Sequence, residues 1–143
     1  IYEALGAVAD GRVEVEGNTA KVFSSSGNKF YTVIYDADLA SIMANDNGSY
    51  WKGYLGYPAI AYLLKIGVLP YRVEMGELLK GIHWKDVNQQ FKNDFEKTIW
   101  HVFSKFNEGQ KTSMQKYAED LATSITSLDL DLLGEKQKPP EGY

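Results

Sequence analysis

The stretch "RVEVEGNTAKVFSSSGNKFYTVIYD", residues 12–36, limits the fold more than any other part of the chain. Val13 and Val15 alternate with Arg12, Glu14 and Glu16, a period of two that gathers apolar groups on one face of a strand. Gly17-Asn18 supplies a turn, "TAKVFSS" a second strand, and "SGN" at 26–28 another turn. "KFYTVIYD" is dense in aromatic and β-branched side chains, which suit a pleated surface. Strands joined by tight turns pair antiparallel with their sequence neighbours. The spacing therefore predicts a meander with the third strand central. "ASIM", residues 40–43, is expected to add a fourth short strand, and "SYWKGY" another edge strand. In front of the meander, "YEALGAVA" at 2–9 reads as a short helix stopped by Gly11.

After residue 57 the period changes. Pro58 suits the first turn of a helix. "AIAYLLKI" continues that helix to Gly67, and its apolar side chains on nearly every face predict burial against the sheet. A connector follows, with a short helix near 75–81. Val87, Phe91, Phe95, Ile99, Val102, Phe103 and Phe106 then recur at spacings of three and four. They predict one long helix from about Trp84, broken at Asn107-Glu108-Gly109. A last helix is expected from about Lys111 to Leu128, with Met114, Tyr117, Ala118, Leu121, Ile125 and Leu128 on one face. The predicted class is α+β: a small antiparallel sheet packed by a buried helix, followed by a C-terminal helical hairpin. The expected division is a strand-rich module at 1–70, a helical extension at 71–132 and a flexible tail at 133–143, with the two halves able to share one core.

Composition excludes several activities. The 143 residues carry 44% hydrophobic and 24% charged residues, typical of a folded domain. No run of about 18 apolar residues occurs, so no membrane span is expected, and the opening residues lack a signal-type basic start. Cysteine is absent, which removes disulfides, thiolate metal sites and cysteine nucleophiles and fits a cytoplasmic protein. Net charge is −4, shared evenly: Ile1–Pro70 holds 5 basic and 7 acidic residues, Tyr71–Tyr143 10 and 12. Neither half is a basic body suited to duplex nucleic acid.

The segment "ALGAVADGRVEVEGNTAKVFSSSGNKFYTVIYD", followed by "GYPAIAYLLKIG", resembles a SWIM-type zinc finger over residues 4–67. That resemblance implies a strand-rich unit with one ligand pair near Ser41–Met43 and a second at Gly56 and Pro58, opening an apolar helix. None of the four metal ligands is present, so the resemblance is to a degenerate form. No metal and no cofactor are expected. A zinc clip supplies folding energy directly, and in its place packing must hold hairpin to helix. Tyr50, Trp51, Tyr54, Tyr57 and Tyr62 are the candidates, since each large ring can bury on the order of 150–250 Å².

Other motifs fall short of known chemistry. His83 and His101 lie far apart in sequence and read as surface or boundary residues. Asp36, Asp38 and Asp46 miss the glycine and closing glutamate of a calcium loop. Gly48, Gly53 and Gly56 are not followed by the lysine of a phosphate loop. Ser24, Ser25 and Ser26 read as a hairpin tip. The predicted binding residues are Tyr50, Trp51, Lys52, Tyr54 and Tyr57, because Tyr and Trp combine apolar area with a polar tip. The predicted interface is Phe91, Phe95, Ile99, Phe103 and Phe106. The expected function is a non-enzymatic interaction module with a protein partner or a second copy of the chain. The alternatives are single-stranded nucleic-acid binding, in which the aromatic rings stack bases, and a small enzyme built on Asp46, His83 or Glu74.

Overall fold

The computed structural model describes residues 1–46, 49, 55–132 and 138–140. It is an α+β fold. Helix α1 (Tyr2–Ala9) precedes the strands β1 (Val13–Glu16), β2 (Thr19–Phe23), β3 (Phe30–Asp36) and β4 (Ser41–Ala44). These four pair antiparallel in sequence order, with Val13 opposite Val22, Ala20 opposite Val33, and Val33 opposite Ala44. The β1–β2 turn places Gly17 at φ +62°, the first central position of a two-residue hairpin, where a left-handed conformation favours glycine. A short strand β5 (Asp131–Leu132) adds in parallel beside β4, with Ser41 opposite Asp131. β3 is thus the middle of five. The residues predicted as a "SYWKGY" edge strand fall largely outside the described ones.

Alternation puts Val13, Ala20, Val22, Val33, Ile42 and Ala44 in the core. Val15 departs from the expected pattern and is 40% exposed. It lies on β1, an edge strand with no neighbour on its outer side among the described residues. Helix α2 (Tyr57–Lys65) buries every residue from Pro58 to Leu64, because it contacts all four antiparallel strands and α1. A fully buried leucine such as Leu63 contributes about 1.5–3 kcal/mol through apolar burial.

The long helix expected from Trp84 is two. α4 (Trp84–Gln90) and α5 (Phe95–Phe103) are separated by Lys92 and Asn93, both left-handed at φ +52° and +61°. Asp94 caps α5, its Oδ1 accepting from the Lys97 amide at 3.2 Å. The apolar stripe carries on through the break, so periodicity could not show it. The short helix α3 (Val73–Leu78) begins two residues earlier than expected. α6 (Glu108–Leu128) begins three residues earlier and places Gly109 in its first turn. The reason is a capping box: Asn107 Oδ1 accepts from the Gln110 amide at 2.8 Å, and Gln110 Oε1 accepts from the Asn107 amide at 2.9 Å. Replacing Asn107 with Ala should lower stability by about 1 kcal/mol in chemical denaturation.

α6 buries Met114, Tyr117 and Leu121. The Tyr117 hydroxyl donates to the Pro70 carbonyl at 2.6 Å and accepts from the Arg72 amide at 3.0 Å. That pair fixes the last helix to the connector after α2. One apolar cluster runs through the chain, from Ala4 and Leu5 by way of the sheet and α2 to Phe103, Phe106 and Leu121.

Candidate functional site

Of the aromatic segment, Tyr50, Trp51, Lys52 and Tyr54 lie outside the described residues. Tyr57, at the start of α2, is half-buried and meets Tyr31 of β3 edge-on at 5.8 Å between ring centres. Tyr62 is buried and meets Tyr35 in the same way at 5.9 Å. These two rings join helix to sheet.

Around the start of α2 the structure gathers charge that the sequence did not announce. Asp46 is 7% exposed and follows β4. Its Oδ2 accepts from the Ser49 amide at 3.1 Å, and Ser49 Oγ accepts from the Gly56 amide at 3.1 Å. The Asp46 carboxylate rests directly on Gly56, where a Cβ would collide with it. Arg12 leans over the hairpin, with Nε donating to Asp10 at 3.1 Å and Nη1 to the Phe23 carbonyl at 2.7 Å. Arg12 Nη2 and Asp46 Oδ1 are both buried without a hydrogen-bond partner. Glu3 of α1 feels both groups. Burial pushes its carboxyl up to about 7, against the pull of the Arg12 guanidinium. Burial, and then the charge of Glu3, also raises the Tyr57 phenol. The cluster can therefore hold a proton on Glu3 close to neutral pH.

The phenylalanine stripe is divided by depth. Phe103 and Phe106 are buried in the chain's own core at 6% and 9% exposure. Phe91 is half-buried against the His101 ring at 5.3 Å. Phe95 remains 67% exposed although it stacks on Tyr2, with Ile99 half-buried beside it. Trp100, one position off the stripe, is the most exposed large apolar side chain described, at 76%. Phe95, Ile99, Trp100 and Phe103 line a groove of about 580 Å³ with Glu96 and Lys111 at its rim. Periodicity missed Trp100 because it selects core positions, whereas Trp100 marks the opposite condition.

A separate cleft of about 550 Å³ lies between the α3–α4 connection and the C-terminal part of α5. It brings His83 and His101 together, which the sequence left unconnected. Asp46, His83 and Glu74 do not converge. Asp46 is in the buried cluster, His83 lines this cleft, and Glu74 is exposed beside Arg72 with a 2.7 Å ion pair. Among the described residues, no group of three or more His, Asp or Glu side chains is placed to hold a metal ion, and no helix is long and apolar enough to cross a membrane.

The fold and its aromatic surfaces define a small α+β protein with two grooves lined in part by α5. The chain belongs to the family described as Uncharacterised conserved protein UCP014422, whose family model matches residues 1–131. No curated protein and no solved structure matches it.

Proposed function

We propose that this protein is an interaction module that self-associates through the α5 groove. One observation carries the reading: Phe95 and Trp100 stand 67% and 76% exposed on a single groove. Such rings are the anchors of protein interfaces, and large apolar groups left in water on one groove mark surfaces that become covered. Glu96 and Lys111 at the rim give the groove one acid and one base. Two copies related by a two-fold axis can set Glu96 of each against Lys111 of the other, whose ammonium also meets Glu108 of its own chain at 3.3 Å.

Sedimentation velocity across a wide concentration range should show a monomer–dimer equilibrium. Trp100→Ala should weaken it by about 2 kcal/mol, near thirtyfold. A protein that stays monomeric at the highest concentration would dispose of self-association.

A second reading, single-stranded nucleic-acid binding, draws on the β2–β3 hairpin. Phe30 is 41% exposed, packs on Phe23 at 5.8 Å, and has the Lys21 ammonium 5.0 Å from its ring centre. Rings flanked by cations stack bases. Fluorescence anisotropy with labelled oligothymidylate at low salt tests this reading, and flat titrations would remove it. The likeness to a degenerate SWIM-type finger remains part of the proposal. That resemblance implies one ligand pair near Ser41–Met43, which lie in β4, and a second at Gly56 and Pro58, which open α2; the buried Ile42, Met43 and Pro58 support packing as the clamp in place of a metal.

A further inference from the structure

We infer that the cleft holding both histidines is a binding site for a small organic anion with an apolar body. The cleft shares no lining residue with the groove of Phe95 and Trp100, so it does not depend on self-association. Its size, about 550 Å³, falls in the range of small-molecule sites. The floor is apolar, made by Val87, Val102 and Phe106, the last two buried. Four side chains able to carry positive charge surround it: Lys80, His83, His101 and Lys105. They face one acid, Glu77.

That balance runs against the whole chain, in which 19 acidic residues outnumber the 15 Lys and Arg and 2 His residues together. The Lys80 and Lys105 ammonium groups outnumber the Glu77 carboxylate, a local excess of positive charge that an anionic partner or solvent must neutralise. Among the described residues, none of the four is held in an ion pair; the pairs that form involve Arg12, Arg72, Lys111 and Lys116. The donors are therefore available to a carboxylate or phosphate, and charge-assisted hydrogen bonds are the strong ones. Phe91 packs on the His101 ring at 5.3 Å and holds it in place. The apolar floor selects against a bare inorganic ion and the cationic rim against a neutral hydrocarbon.

With two histidines in the chain, each gives one resolvable imidazole Cε1 proton signal, and NMR titration reads the site directly. Four probes separate head group from body: hexanoate, hexyl phosphate, hexanamide and inorganic phosphate. Hexanoate or hexyl phosphate should shift both histidine signals with one common dissociation constant. Hexanamide and inorganic phosphate should bind at least about tenfold more weakly. Whichever of the two charged probes binds tighter assigns the head group. The double variant Lys80→Gln, Lys105→Gln changes exposed positions and should weaken the charged probe about tenfold, whereas Lys65→Gln on α2 should leave it unchanged. The inference is overturned if neither charged probe binds, if hexanamide or inorganic phosphate binds equally well, or if the double variant has no effect.

Discussion

Gly56→Ala is expected to lower the unfolding free energy by about 2–4 kcal/mol, a large loss for the addition of one methyl group. The backbone is not the cause. Gly56 has φ −76° and ψ 173°, a conformation open to any residue. The cause is space: the new Cβ would overlap the Asp46 carboxylate, which is buried and already holds the Ser49 amide. Moving that carboxylate breaks a charge-assisted hydrogen bond and leaves its partner unsatisfied, while the start of α2 is pushed from the sheet. A double-mutant cycle isolates the contact. Asp46→Ala removes the obstruction, so Gly56→Ala should cost much less in that background. Equal costs in both backgrounds, or a single-variant loss below about 0.5 kcal/mol, would refute the clash.

The second large effect is one of pH. In the folded chain Glu3 keeps its proton up to about 7, against an ordinary value of 4.5, chiefly because burial disfavours the charged form. Between those values the folded state binds more protons than the unfolded state. Stability from this group is complete below about pH 4.5, declines as pH rises, and is lost above about 7. The difference corresponds to about 2–3 kcal/mol once partial exposure of the side chain is allowed for. Glu3→Gln keeps the shape and cannot ionise. It should flatten the stability profile across that window and exceed the wild type at pH 8. Urea denaturation of both proteins from pH 4 to 8 measures the difference, which cancels the other titrating groups. Parallel profiles would show that Glu3 ionises freely in the fold.

The strand meander was legible because alternation of Val13, Ala20, Val22 and Val33 with polar neighbours is a local pattern that the sheet then uses directly. α2 was legible for a similar reason: Pro58 marks its first turn and its apolar side chains require burial. Two boundaries were harder to see. The Lys92-Asn93 break sits inside an unbroken apolar stripe, so the period hid a helix end that Asn93 and the Asp94 cap could have signalled. The Asn107 capping box was present as Asn-x-x-Gln, but Gly109 looked more like a stop than a first turn. β5 has two residues, too few for any periodic signal.

The candidate sites divide differently. Exposure of Phe95 and burial of Phe103 belong to the same stripe and the same residue type, and only the surrounding chain separates them. The sequence by itself determined the class of fold, the order of the four antiparallel strands and the burial of α2, because these follow from backbone preference and short-range apolar spacing. Tertiary structure alone decided that Glu3, Arg12 and Asp46 share one buried corner and that His83 and His101 share one cleft. Burial and electrostatic coupling act through space, between groups that the chain keeps far apart along its length.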